Sequence, residues 1–346
     1  MTVRVYRSTD ASAPVLSGTT GALCTVLDAV LVNGYGSLTA AGWTIAFSGT
    51  SQRVYTMGSG GTGFSLYVND AGPGAGTFEE ARVAGFQSPS GLGTGTGQFP
   101  STAQMTAPSG ALVVRKSAAN SSVARAWTII ADAHTFYLFT ETGDNPSQQP
   151  GLQTYVFCFG DFFSYSPIDT SNCMIIGRNI ENSNSGIYEP FPTYGAYSDT
   201  PATVSFGQYI ASSWTGVGSS VPFGKFIDCS FMGVTASGQG TSYANQSSNQ
   251  PIGHNDNPGT FPYPNQTDGA LWLSPIRIVH SNAVRGYLKG IWAPLHDRPL
   301  NHNDTFTVSS GNLSGKSFIM QNILGQNNIY RPATGQVAIE TSNTWS

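Results

Sequence analysis

Turn-forming residues interrupt this chain so often that long helices and long parallel strands are excluded from the outset. Its 41 glycines and 20 prolines fall, together with Asn, Asp and Ser, between short runs of β-branched and aromatic residues. That is the pattern of strands joined by tight turns. The runs lie at 3–7, 43–47, 53–57, 64–69, 81–86, 111–115, 127–131, 135–140, 154–159 and 173–178. Further runs follow at 226–231, 271–280, 287–292, 305–308, 317–322 and 336–340. Asp132-Ala-His134, between two of the strongest runs, has the composition of a tight hairpin. Strands do not alternate with helices, so a doubly wound nucleotide-binding fold is excluded. The expected class is all-β, with antiparallel sheets forming a sandwich or a barrel.

One segment breaks the pattern. Over 20–33, apolar residues fall at Leu23, Val26, Leu27, Val30 and Leu31, the spacing of one buried helical face. Thr19 or Thr20 is placed to cap its start and Asn33-Gly34 to stop it. The spacing predicts one amphipathic helix lying against a sheet. Three stretches lack periodicity: the Gly-Ser-Thr loops 58–63 and 88–97, and the Gln/Asn-rich stretch 236–269. Strand signals thin out over 178–206, which suggests an N-terminal β domain over 1–180 and a C-terminal β region over 181–346. One continuous domain is the alternative.

Charge is scarce. Asp, Glu, Lys and Arg make up 10% of the chain, against about 25% in an ordinary soluble domain. A surface covered instead with Ser, Thr, Asn, Gln and Gly does little to keep copies apart. It suits broad polar contacts in an assembly. The net charge is −4 and the densest basic piece is the pair Arg115 and Lys116, too little to capture a nucleic-acid backbone. The opening Met-Thr-Val-Arg-Val-Tyr-Arg-Ser lacks the apolar region of a signal peptide. No run is long enough to cross a membrane. The expectation is a chain made in a cytoplasm, with no nucleic-acid or membrane partner. Cys24, Cys158, Cys173 and Cys229 are widely spaced and are expected as buried thiols.

Candidate chemistry is thin. Gly58-Ser-Gly-Gly-Thr-Gly63 and Gly93-Thr-Gly-Thr-Gly97 lack the following helix and the Lys-Ser/Thr that a phosphate loop needs. Glu79 and Glu80 are adjacent, so in a strand they point to opposite faces. Asp161, Asp169, Asp228, Asp297 and Asp304 are isolated in sequence, and glycoside hydrolysis requires two carboxyls flanking a cleft. The densest polar cluster, His296 to Asp304, holds His296, Asp297, His302 and Asp304 but matches no metal-site or triad spacing. It reads as a hydrogen-bonded loop. No catalytic, cofactor or metal residues are assigned, and the chain is read as non-enzymatic. The Asn-x-Ser/Thr sequons at Asn120, Asn245, Asn265, Asn303 and Asn312 are by-products of an Asn/Ser/Thr-rich chain.

Several phrases resemble a family of tailed-bacteriophage virion structural proteins. They are Leu27-Asp-Ala-Val-Leu-Val-Asn-Gly-Tyr-Gly36, Ala41-Gly-Trp-Thr44, Phe47-Ser-Gly-Thr50, Phe64-Ser-Leu-Tyr-Val-Asn-Asp70 and Ala81-Arg-Val-Ala-Gly-Phe86. Thr135-Phe-Tyr-Leu138, Phe159-Gly-Asp-Phe162, Arg285-Gly-Tyr-Leu-Lys-Gly-Ile-Trp-Ala-Pro-Leu-His296 and Gly335-Gln-Val-Ala-Ile-Glu-Thr-Ser-Asn-Thr-Trp345 complete them. The resemblance implies a particle component of the neck, tail or baseplate, or a decoration protein. It would be located in the virion and partnered by other virion proteins and by copies of itself, and it transfers no catalytic residue. Tyr243, Phe261 and Tyr263, aromatics in or near the 236–269 stretch, are the expected interface anchors. Two other readings remain open at this stage. One is a glycan-binding receptor module at a tail tip; the other is a capsule depolymerase.

Overall fold

The computed structural model describes residues 1–71, 79–105, 112–143, 154–179, 207–216, 220–222, 224–227, 263–264, 269–280, 283–294, 296, 299–322 and 336–346. The fold is all-β with one helical segment longer than four residues among the described residues, and its main sheets are antiparallel. A seven-stranded central sheet runs in the order Arg4–Arg7, Trp127–Ala131, Thr135–Glu141, Thr154–Asp161, Cys173–Ile176, Gln208–Ile210, Val221–Pro222. It takes strands from both sides of residue 180. The Asp132 turn is the expected hairpin: its Oδ1 accepts from the N–H of His134 at 2.7 Å and of Thr135 at 2.8 Å.

The side chains of the central sheet alternate between two cores. Ile129, Phe136, Leu138, Phe157, Phe159, Cys173 and Ile175 enter one core. Ile130, Tyr137, Phe139, Val156, Cys158, Met174 and Ile176 enter the other. Successive residues of a strand point to opposite faces, so strands this continuously apolar need a cover on both. The first cover is an N-terminal six-stranded sheet, ordered Arg178–Asn179, Leu112–Ser117, Glu79–Phe86, Ser65–Asn69, Gln52–Thr56, Thr44–Gly49. Tyr55, Leu66, Val68, Ala81, Val83, Leu112 and Val114 bring it into the first core. The second is a C-terminal sheet ordered Gly224–Ile227, Leu273–His280, Ala283–Pro294, Gln336–Glu340, Ser317–Asn322, Thr305–Thr307, with Phe163–Ser164 pairing beside Ala283–Pro294. Ile276, Ile278, Leu288, Ile291, Ile319, Val337 and Ile339 bring it into the second core. The result is a three-layer sandwich.

The helical segment packs into the first core through Leu23, Val26, Leu27, Val30 and Leu31, all fully buried. It is α-helical over Ala22–Leu27 and widens to a π-helix over Asp28–Asn33, where Arg53 and Tyr55 hold Asp28 at 3.0 and 2.8 Å. The cap differs from the local one expected. Neither Thr19 nor Thr20 caps the helix; the residue before it is Gly21, in the left-handed region at φ 81°. The orphan Leu23 N–H instead donates to Asp70 Oδ2 at 2.8 Å. Asp70 also pairs with the fully buried Lys116, which donates to Thr19 O at 2.8 Å. One carboxylate thus fastens the helix start to two strands. Burial, the largest influence, raises its pKa above the usual range, against the pull of Lys116 and of the Leu23 and Cys24 amides.

The stretch 88–97, expected as a loop, is a small hairpin of Ser88–Gly91 and Thr94–Thr96. It folds back so that Leu92 lies over Gly49 and Gly93 over the Tyr67 ring, spaces where a Cβ would meet side-chain atoms at 2.7 and 3.0 Å. Among the described residues no helix is long and apolar enough to cross a membrane.

Two outcomes follow. Asp70→Ala strands Lys116 in the core without its carboxylate, which costs about 3–5 kcal/mol by the precedent of broken buried pairs. Chemical denaturation should show that loss, and Asp70→Leu combined with Lys116→Met should recover most of it. Of the four cysteines expected as buried thiols, Cys24, Cys158 and Cys173 are buried and free, and Cys229 lies outside the described residues. Cys158 and Cys173 lie on adjacent strands but face opposite cores, so no bond can join them. Alkylation without reductant should leave all three unmodified in the native protein and modify all three once it is unfolded.

Candidate interaction surface

The residues that suggested chemistry are used to hold the fold. The loop 58–63 joins two strands and lies on the Asp132 hairpin. Gly58 N–H donates to Ala133 O at 2.8 Å and His134 Nε2 sits 3.0 Å from Ser59 O. The buried Asp161 accepts from Thr62 N–H at 2.9 Å and Thr62 Oγ1 at 2.7 Å. A Cβ at Gly61 would lie 2.7 Å from the Asp161 carboxylate, so glycine is what lets the loop reach it. Burial raises the Asp161 carboxyl, and the two Thr62 bonds offset this only in part. Glu80 is buried opposite Arg115 on the neighbouring strand, whereas Glu79 lies on the far side of a bulge.

The His296 to Asp304 cluster is likewise bonded to its surroundings. His296 Nε2 accepts from Trp272 N–H at 2.8 Å. His302 Nδ1 accepts from Asn322 N–H at 3.1 Å, and its Nε2 is 3.3 Å from Glu141. Asp304 Oδ2 accepts from Asn301 N–H at 2.8 Å. Asp228 and Asp297 lie outside the described residues. Among the described residues no three His, Cys, Asp or Glu side chains are grouped to hold a metal.

A different constellation stands out on the surface. Phe163 and Tyr165 are 46% and 48% exposed, and with Tyr287 they form a cluster of three rings. Phe163 stacks on Tyr287 at 4.8 Å and 28°, while Tyr165 meets them at 6.1 and 5.9 Å. Arg277 lies 6.0 Å from the Tyr165 ring and donates to its hydroxyl. The rings are carried by a strand pair, Phe163 opposite Tyr287 and Ser164 opposite Gly286. Gly286 is required there, because a Cβ would strike Phe163 O at 1.8 Å.

Beneath the rings lies a buried clasp. Arg285 grips Asp169 through two nitrogens, each at 2.7 Å. It also donates to the carbonyls of Ser171, at 3.1 Å, and Ser212. Asp169 accepts from Ser164 Oγ at 2.8 Å, and Tyr165 N–H donates to Arg285 O at 2.9 Å. Burial pushes the Asp169 carboxyl up, but the Arg285 fork, the Ser164 hydroxyl and the Ser171 amide outweigh it and hold it below the usual range. Three more apolar side chains within two residues of this clasp are exposed: Ile168 at 70%, Trp214 at 51% and Val284 at 42%. Five of the nine large exposed hydrophobics among the described residues therefore lie in, or within two residues in sequence of, the segments this clasp joins, and Phe163 and Tyr165 among them are in contact with each other and with Tyr287. Clustered rather than scattered exposure is what marks a binding surface.

Of the anchors expected from sequence, Tyr243 and Phe261 lie outside the described residues. Tyr263 is 41% exposed with its ring edge-on to His296 at 5.7 Å. Sequence reasoning missed Phe163, Tyr165 and Tyr287. The two-residue spacing of Phe163 and Tyr165 does put both on one strand face, but the same spacing describes a core strand. No family model matches the chain, and no curated protein matches it.

The clasp has a pH signature. Its folded carboxyl titrates below the unfolded one, so between the two pKa values the unfolded chain binds more protons and stability rises with pH. The contribution is complete above about pH 4 and is lost as pH falls through the folded value. Asp169→Asn should lower stability at pH 7 and make the acid limb below about pH 4 shallower. Asp70 and Asp161, both raised by burial, act in the opposite sense, so the difference between the two proteins isolates the clasp in denaturation measured from pH 3 to pH 7.

Proposed function

We propose that this chain is a structural, non-enzymatic component of a tailed-bacteriophage particle, of its neck, tail, baseplate or decoration, built in several copies to make protein–protein interfaces. The observation that carries the reading is the exposed Phe163–Tyr165–Tyr287 cluster with Arg277, fixed in place by the Arg285–Asp169 clasp. Tyr, Trp and Arg are the residues that most often dominate interface energetics. A rigid strand pair presents them with little side-chain freedom left to lose on binding.

The neighbouring aliphatics favour a protein partner over a sugar. A pyranose stacks on aromatic faces, whereas Ile168 and Val284 gain from apolar side chains opposite them. The sparse charge supports the same reading, because an interface core is depleted of charged residues. The phage assignment rests on the sequence resemblance, and the interface assignment rests on the rings.

The test is incorporation. Phe163→Ala combined with Tyr165→Ala should leave the fold intact and lower its thermal stability only modestly, since both rings are about half exposed and lie outside the cores. It should deplete the protein from purified particles assembled in its presence. Truncating a hot-spot ring costs about 2 kcal/mol or more, about thirty-fold in Kd. Normal incorporation of the variant would remove the rings from the interface. Binding to host glycans that the same substitutions abolish would make the chain a receptor module instead.

A further inference from the structure

Strand edges are where β-proteins guard against unwanted pairing, by shortness, charge, proline or a bulge that twists the edge away. The strand orders of the three main sheets end in six edges, apart from the two-residue branch Phe163–Ser164. Arg4–Arg7 carries two arginines, and Val221–Pro222 contains a proline. Gly224–Ile227 has Lys225 in its sequence. Arg178–Asn179 is two residues long with an arginine, and Thr305–Thr307 is three residues long. The sixth, Thr44–Gly49, is six residues long, with the sequence Thr-Ile-Ala-Phe-Ser-Gly. It has no charge and no proline.

Its surroundings are equally uncharged. Between Asp28 and Asp70 the only charged residue is Arg53, and Asp28 neutralises it at 3.0 Å. Among the described residues the strand's backbone bonds only to Gln52–Thr56 and, at Gly49 O, to the Arg53 side chain at 2.7 Å. Among the described residues none bonds to its outward backbone groups, and Thr44, Ala46 and Ser48 are exposed. The register slip between Ile45 and Phe47 is the one guard of that list it carries; it strengthens the strand's twist but adds neither charge nor proline.

We propose that Thr44–Gly49 pairs antiparallel with the same strand of a second copy, joining two N-terminal sheets into one across a two-fold axis. An open ladder edge recruits an extended strand, and a two-fold contact requires a surface complementary to itself. This edge qualifies in any register, because no like charges can fall opposite each other. Nothing on it can answer a charge on an incoming strand, which favours an equally uncharged partner over a charged one. A two-fold-related copy also shares its twist. The pairing is separate from the aromatic cluster, which belongs to a different sheet.

The experiment is sedimentation of the full chain over a range of concentrations, with hydrogen exchange read at the strand's amides. The wild type should reach twice the 36.5 kDa mass of one chain, with protection of residues 44–49 rising alongside the dimer fraction. Ala46→Lys, and separately Ser48→Lys, place a cation on the exposed edge. Each should give a monomer with unchanged circular dichroism and fast exchange there. Three results would overturn the proposal: a wild type that stays monomeric, a dimer that both lysine variants retain, or a dimer lost only in Phe163→Ala. The last would assign self-association to the aromatic cluster.

Discussion

A sheet covered on both faces by other sheets has nowhere to put a polar side chain, and the rest of this fold follows from that constraint. The strands Trp127–Ala131, Thr135–Glu141 and Thr154–Asp161 must be apolar at successive positions, not alternate ones. The few polar side chains they retain need partners close by. Tyr137 sends its hydroxyl to Lys289 O at 2.6 Å, tying the central sheet to the C-terminal one. Thr140 and Thr135 donate to the carbonyls of Arg115 and Asp161. An unmet polar group in such a layer would cost on the order of 1–3 kcal/mol, enough to weigh against any misplaced strand.

Several of the buried charges accordingly sit where distant segments meet. Lys116 and Asp70 are 46 residues apart, Arg285 and Asp169 are 116 apart, and Lys316 and the fully buried Glu340 are 24 apart. Exchanging a whole buried pair for apolar residues is often neutral, while removing one member is severe. The pairs thus do more to decide which segment docks where than to add net stability. Asp70 fixes the helix and Asp169 fixes the ring-bearing strand. Glu340 gathers Lys316 and the terminal Ser346 N–H, each within 2.8 Å. A chain with only 34 formal charges, 15 basic and 19 acidic, commits several of them to fastening, which leaves its outside still more neutral.

What the sequence reveals is divided along the same line. Strand positions and the inner face of the helix are legible, because both depend on residues near one another in the chain. The third layer was also written, in Ile129-Ile-Ala131 and Phe136-Tyr-Leu-Phe139, whose lack of alternation demands two cores. Such a run does not say what covers each face. The helix cap was not legible, because Asp70 lies 47 residues from Leu23 while Thr19 and Thr20 offered a local alternative. The surface rings were hidden for a related reason. Phe163 and Tyr165 carry the same spacing as the buried aromatics, and the contacts that hold their strand, the Arg285–Asp169 clasp among them, come from residues more than 100 positions away.

The open edge and the aromatic cluster belong to opposite outer layers, with the central sheet between them. A contact made at one therefore leaves the other free. A two-fold pairing through Thr44–Gly49 closes on itself at two copies and cannot propagate. The resulting pair would still present two aromatic clusters, one from each copy, to whatever comes next. One self-complementary edge and one separate apolar surface would give the chain a contact that sets its copy number and another that sets its place. Sparse surface charge serves both contacts, since it opposes neither the approach of a second copy nor the desolvation of the rings.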